Sequence, residues 1–371
     1  MMIESTTPGE SMKYFRWAAI LPLAIAITSS PSSAEPNWPG WRGPHRTDVT
    51  SETGFLKAWP KEGPRRVWLF DNCGAGFSGP AIVGDRLYIM GARGGKEKIL
   101  ALNIESGKEL WDADVDDVWK QARGNGPRST PTVTNDRVYA VAANGRVGCV
   151  RAGDGKEVWN ASFEKLGGEP PNWGYCESVL VDQGRVICTP GGPQGAIVAL
   201  SADTGKVLWQ SKEFTDPAQY ASPQAIEFNG TRQYIQLTMK AVVGVSADSG
   251  KLLWKSPWPG ATAVITTPIF HDGHVYITSG YGVGCKLVKI DASDKTSDVY
   301  VNKKMKNQHG GVILLDEHLY GYSDRIGWVC QEFKTGEIVW SEKTKLGKGA
   351  IAYADGRFYC CLLYTSPSPR D

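Results

Sequence analysis

The chain has 371 residues, 41% hydrophobic and 22% charged, with 43 Gly and 22 Pro, a turn-rich globular composition that argues against extended disorder. Lys and Arg total 41 against 39 Asp and Glu, a net charge of +2. Like charges never run beyond a few residues, so nothing supports a surface that tracks nucleic-acid phosphates.

The first 34 residues read as an export leader. Lys13 and Arg16 precede an apolar stretch from Trp17 to Ile27, followed by Ser32-Ser33-Ala34, the charged, apolar and small-residue regions of a secretory signal. The apolar run is too short to cross ~30 Å of hydrocarbon. Cleavage then leaves a mature chain starting near Glu35, periplasmic or secreted, with no transmembrane segment. Residues 1–11 are polar and precede Met12, a better initiator.

From residue 64 onward the sequence repeats. Ser106-Gly107-Lys108-Glu109-Leu110-Trp111 recurs around Trp159, Trp209, Trp254 and Trp340, at spacings of 48, 50, 45 and 86 residues. The last interval is two units, and Tyr300 takes the aromatic place in the unit without its Trp. About 25 residues before each aromatic lies a second motif, two apolar runs joined by an Asp/Asn/Gly turn, as in Pro80–Tyr88 and Pro268–Tyr276. Each unit thus predicts four short strands, A to D, with tight turns in which Gly takes positive φ without a Cβ clash. Four strands per repeat of about 45 residues is the pattern of an all-β propeller.

Seven strand-A starts are expected, near residues 79, 130, 178, 223, 267, 311 and 350. Ahead of them Pro64-Arg65-Arg66-Val67-Trp68 resembles a lone strand D, the strand that would close the last blade and hide its edge. The repeated Trp reads as a structural anchor between blades. Burying its ~200 Å² yields roughly 5 kcal/mol before entropy is subtracted. Cys149 and Cys330 stand where other units carry Ala101, Ala199 and Gly244, as small core residues of strand C rather than parts of a disulfide framework. Cys176 and Cys188 sit on neighbouring strands at a spacing that permits pairing.

Cys361–Asp371, CLLYTSPSPRD, is letter for letter the translation of a transposase-type sequencing adapter and is set aside as non-native. The expected organisation is therefore a signal peptide over 1–34, a propeller over 35–360 that is incomplete at its C-terminus, and an adapter-derived tail over 361–371. The propeller would be eight-bladed natively, with about six and a half blades and the closing strand present here.

The Leu-x-x-x-Thr-Gly-Lys-x-x-Trp units, together with Trp38-Pro39-Gly40-Trp41-Arg42-Gly43-Pro44, resemble the pyrroloquinoline-quinone (PQQ) repeat β-propellers over nearly all of residues 38–360. The Asn307–Gly311 and Leu319–Asp324 stretches are similar to exported planctomycete-type members. That family includes quinoprotein dehydrogenases and non-catalytic propellers that help assemble outer-membrane proteins, so the resemblance implies the fold and leaves the chemistry open.

In such a propeller strand A lines the central channel, and the segments entering it meet at one mouth. Those segments are rich in Gly, aromatics and single charges. They offer Arg128, Trp173, Tyr175, Glu177, His309 and Lys348 as a candidate pocket. If it held PQQ, the resemblance implies a Ca²⁺ ion on carboxylate and amide oxygens, for which Glu177 is the one placed carboxylate. The later entry segments carry Tyr220-Ala221-Ser222 and Thr266-Thr267, without Asn or Asp, so the metal set is incomplete. The adjacent Cys360-Cys361 pair, which would resemble the vicinal disulfide of alcohol-oxidising members, falls partly in the adapter tail and is discarded. Two readings follow. The first is a monomeric binding or scaffold module for a protein, peptide or polysaccharide. The second is a PQQ- and Ca-dependent dehydrogenase of an alcohol or sugar.

Overall fold

A computed structural model of the chain describes residues 37–343 and 346–362. The leader over 1–34 and the tail beyond Leu362 lie outside these residues. The first repeat folds as four antiparallel strands in sequence order, β1 (Ala81–Val83), β2 (Arg86–Arg93), β3 (Lys96–Asn103) and β4 (Glu109–Asp117). The second blade runs from β5 (Thr132–Thr134) to β8 (Glu157–Ser162), and the third from β9 (Leu180–Asp182) to β12 (Val207–Gln210). The fourth runs from β13 (Gln224–Phe228) to β16 (Leu252–Pro257), and the fifth from β17 (Ile269–His271) to β20 (Thr296–Asn302). The sixth runs from β21 (Val312–Leu315) to β24 (Ile338–Glu342). A two-stranded sheet, β25 (Gly349–Ala354) with β26 (Arg357–Leu362), follows. The seven predicted strand-A positions are each occupied within about two residues. The last strand, β26, ends two residues inside the stretch set aside as adapter.

The same irregularity marks every complete sheet. The register between third and fourth strands shifts at Ala101/Leu102, Cys149/Val150, Ala199/Leu200, Gly244/Val245, Leu287/Val288 and Cys330/Gln331. The residue just before each shift pairs with the repeat aromatic, Ala101 with Trp111, Cys149 with Trp159 and Cys330 with Trp340. A bulge there increases the local twist, and a small side chain leaves room for the indole. Cys149 and Cys330 are buried at these positions as thiols, as expected of small core residues.

Three of these indoles reach across to the next blade. Trp111 Nε1 donates to Ala152 O at 3.1 Å, Trp159 to Ala202 O at 2.8 Å and Trp209 to Ala247 O at 2.9 Å. Three residues past each accepting carbonyl stands the turn glycine, Gly155, Gly205 or Gly250, at φ near +70°. A Cβ on any of them would lie 2.4–2.6 Å from the ring. These glycines therefore serve twice, for left-handed backbone and as the floor of an indole seat.

Two units depart from this pattern, each in its own way. The fifth blade turns through Asp291-Ala292-Ser293-Asp294-Lys295, with no glycine to seat Trp254. Trp254 instead packs over Gly244 of its own blade, with Nε1 on Gln233 Oε1 at 2.8 Å. Tyr300 takes the aromatic place against Gly336, its hydroxyl donating to Phe333 O at 3.0 Å, as its position in the repeat indicated.

Trp68 docks by the same rule, with Nε1 on Ile104 O at 2.7 Å and its ring over Gly107. The expected strand D around it does not form. Val67 and Leu69 are 71% and 69% exposed, and no described strand lies beside them to complete a ladder. The indole seat thus operates without a sheet.

The seat predicts an ordered set of stability losses in chemical denaturation. Gly205→Ala meets both the Trp159 ring and a φ of +69° and should cost about 2 kcal/mol or more. Gly184→Ala, at φ +76° with open space around it, carries the backbone strain alone and should cost about 1 kcal/mol. Equal losses at the two positions would contradict the seat.

Candidate functional site

The axial tunnel is filled from the N-terminal side. Trp38 exchanges backbone hydrogen bonds with Ile82 of the first blade, and Pro39 O accepts from Val133 N of the second. Arg46 donates to Ser178 O and Val179 O ahead of the third blade's first strand and to Pro223 O ahead of the fourth's. Trp41 Nε1 reaches Thr267 Oγ1 at 3.1 Å, beside the fifth blade, and Arg42 Nη2 reaches Val312 O at 2.5 Å in the sixth. Asp48 and Thr50 bracket Tyr353 of β25 by backbone hydrogen bonds of 2.8 and 3.0 Å. Residues 38–50 thereby touch the inner strand, or its entry, in all seven sheets.

One face of this plugged propeller carries a cavity of about 410 Å³. In a four-stranded antiparallel blade the connection into strand A and the hairpin between B and C emerge on the same side, and both kinds of loop build it. Its walls include Phe77, Arg123, Arg128, Trp173, Tyr220 and Tyr281, with Trp41 rising from the plug and His309 entering from the sixth blade. Trp173 and Tyr220 rings lie 5.7 Å apart at 45°. The Arg123 guanidinium sits 5.7 Å over Trp173, and that of Arg128 sits 5.4 Å over Phe77, both within cation–π range. Apolar walls with convergent cations are what a ligand site requires. A larger cleft of about 670 Å³ is lined by Asp116, Asp117, Arg146, Glu164 and Lys165, charges of both signs with no aromatic among its walls.

The six predicted residues divide into two groups. Arg128, Trp173 and His309 come together on the cavity wall. Lys348 is drawn aside by Asp324, at 2.7 Å, and by Gln308. Tyr175 is buried, with its hydroxyl on Pro190 O at 2.9 Å and its ring against Phe163. Glu177 is 1% exposed and lies behind the wall, one oxygen taking Thr189 N at 2.5 Å and the other Gln236 Nε2 at 3.4 Å. Burial pushes its carboxyl up to about 7, against the opposing pull of Thr189 and then Arg46. Cys176, on the cavity side, and Cys188, in the core, are separate thiols, each held protonated by burial.

A family model described as outer membrane protein assembly factor BamB matches residues 54–159 and 116–342, most of the chain. The chain belongs to this PQQ-repeat, BamB-type family. Its relatives fall on both sides of the functional divide. BamB of Burkholderia pseudomallei is 26% identical over 137 residues, which is 36% of this chain and 32% of that protein. Quinohemoprotein alcohol dehydrogenase ADH IIB of Pseudomonas putida is 28% identical over 133 residues, 34% of this chain and 19% of that one. The matches thus span about a third or less of these relatives' length. Among solved structures, a europium-containing methanol dehydrogenase superposes with TM-score 0.54 at 14% identity over 87% of this chain and 88% of that one. BamB of Moraxella catarrhalis superposes at 0.52 with 16% identity, over 74% and 76%. Both show the propeller fold.

Within this BamB-type propeller the donors for a divalent cation do not fit. Ca²⁺ takes six to eight oxygens, whereas both Glu177 oxygens are engaged inside the core and the cavity wall carries no carboxylate. No group of three or more His, Cys, Asp or Glu suited to a metal occurs among the described residues. Sequence reasoning missed Trp41, Arg123 and Tyr281. The first belongs to the plug, and Tyr281 sits on a B–C hairpin, which carries no repeat motif.

Two outcomes test the plug and the carboxyl behind the wall. Arg46→Met strands carbonyls from two blade entries and should lower stability by about 3 kcal/mol, measured by urea unfolding. Glu177 holds its proton more tightly when folded, so its contribution is fully present below its ordinary pKa of 4.5 and is lost as pH rises through about 7. Stability should therefore fall by roughly 3 kcal/mol across that window, and Glu177→Gln should flatten the slope.

Proposed function

We propose that this chain is an exported binding or scaffold module that takes a polypeptide at the channel mouth. The observation that carries the reading is the mouth cavity itself, aromatic-walled with two arginines that meet no carboxylate among the described residues, above a tunnel already filled by residues 38–50. Its family likeness to outer-membrane assembly factors supports the same class. In this reading residues 1–34 are the leader removed on export, and the propeller over 35–360 acts as a monomer. Trp173 and Tyr220 provide the apolar seat, and Arg123 and Arg128 orient what enters. Among the described residues no helix is long and apolar enough to cross a membrane.

The second reading, a PQQ-dependent alcohol or sugar dehydrogenase, draws on the likeness to the Pseudomonas putida enzyme. It would place the planar cofactor against the same aromatics, with Arg128 and Arg123 toward its carboxylates, and lacks a cation site among the donors described above.

The test is a photo-crosslinking amino acid at Tyr281, in the exported protein in its own cell. The expected result is discrete polypeptide adducts that fall at least fivefold with Trp173→Ala. A crosslinker at Val299, exposed on an outer strand, should give none of them. Calcium-dependent alcohol oxidation on addition of PQQ to the purified protein would reverse the ranking of the two readings.

A further inference from the structure

The aromatic cavity does not end at Tyr281. That residue also walls a neighbouring cleft of about 530 Å³ with Gly282, Lys303, Lys306, Asp324 and Arg325. The two depressions form one continuous surface on the same face, since the loop after β20 and the hairpins within the fifth and sixth blades all emerge there. Its charge is one-sided. Arg123, Arg128, Lys303, Lys306 and Arg325 have no carboxylate within ion-pair distance among the described residues. Asp324, the single acid of the two walls, is already held by Lys348 at 2.7 Å. The whole chain carries a net charge of only +2, so this concentration of cations is local.

We infer that the mouth recognises an acidic polypeptide segment bearing a large apolar side chain, the apolar group seated against Trp173, Tyr220 and Tyr281 and the carboxylates meeting Arg123 on one side and Lys303, Lys306 and Arg325 on the other. This rests on the reading of the mouth as a polypeptide site and specifies its ligand. Three features carry it. The first is charge complementarity, because unpaired like-sign cations along a groove raise the local concentration of anionic partners. The second is the stacking of Arg123 on Trp173, which fixes a planar guanidinium without consuming its N–H donors. The third is what the cavity wall lacks. Sugar hydroxyls are read by acceptors and planar amides, and the wall of the aromatic cavity contains no Asp, Glu, Asn or Gln. An anionic polysaccharide would find cations here, but on the aromatic wall neither a carboxylate nor an amide to read its hydroxyls. A peptide carboxylate beside an aromatic or branched side chain is matched at both ends.

The test uses the purified full chain and three fluorescein-labelled ten-residue peptides, one alternating Asp or Glu with Phe and Leu, its Asn/Gln counterpart and its Lys counterpart, with polygalacturonate as competitor. Fluorescence anisotropy at 50 mM salt should show the acidic peptide binding at least tenfold more tightly than the amide one, with the gap closing as salt rises to 0.5 M. Lys303→Glu with Lys306→Glu should remove most of that tenfold preference. Lys251→Glu, on an outer turn, should not alter it. Trp173→Ala should weaken acidic and amide peptides alike. Equal binding of acidic and amide peptides, sensitive to Trp173→Ala, would overturn the charge selection while leaving the mouth as a polypeptide site. Binding of none of the peptides would overturn both. Tight binding of polygalacturonate that displaces the acidic peptide without a Trp173 effect would assign the cations to a polysaccharide instead.

Discussion

The structure turns on how the inner edges of the blades are satisfied. A propeller's first strands face a narrow axis, and each presents backbone groups that pair with nothing in its own sheet. Residues 38–50 answer this with main-chain pairing at Ile82, Val133 and Tyr353, and with arginine or indole donors at the remaining entries. Arg46 is the extreme case. Its guanidinium is buried beneath the mouth and spends its donors on carbonyls from two successive blade entries. Burial lowers its pKa to about 10, so it stays charged at any physiological pH, and the carbonyl dipoles replace the water it has lost.

Between blades the tie is different in kind. The indole, its acceptor carbonyl and the turn glycine three residues later form a unit that repeats wherever the turn holds a glycine and lapses where it does not. The repeated Gly-Lys-x-x-Trp string marked the Trp as an anchor between blades and Tyr300 as its substitute in the gap, but not the glycine as the floor of the seat. The turn of the fifth blade shows why spacing alone was insufficient for Trp254. Whether an indole crosses to its neighbour depends on a residue some forty positions away, and only the folded arrangement brings the two together.

The site was half legible for a geometric reason. Segments entering strand A were expected at one mouth, but the third of them turns at Pro171–Gly174, with Gly174 N on Pro171 O at 2.8 Å and Gly174 at φ +76°, before it runs on toward β9, so the order of side chains along it does not follow simple alternation. Trp173 and Cys176 face the cavity, while Tyr175 and Glu177 turn into the core. Composition gave no means of telling which set faces outward. The B–C hairpins contribute Tyr281 and Arg325 to the same face, which follows from strand alternation yet carries no motif. The plug leaves no such signal, because its hydrogen bonds, from main chain and side chains alike, reach distant main chain and follow no periodicity.

Trp41 joins these two levels. It belongs to the plug, donates to Thr267 beside the fifth blade and presents its ring to the mouth cavity. A cavity wall is therefore part of the element that closes the tunnel, and the same segment fixes Arg42 and Arg46 below it. A ligand pressing on Trp41 works against contacts distributed over all the blades rather than against a mobile loop. The cost of ordering that wall has been met in folding, and preorganisation of this kind lets binding energy appear as affinity. Lys303, Lys306 and Arg325 sit at the opposite extreme, on a loop and a hairpin with no ion-pair partner among the described residues, whereas Arg123 and Arg128 are held over aromatic rings. The rigid aromatic seat and the adaptable charged rim thus divide the work of recognition, the first setting what shape enters and the second what charge arrives.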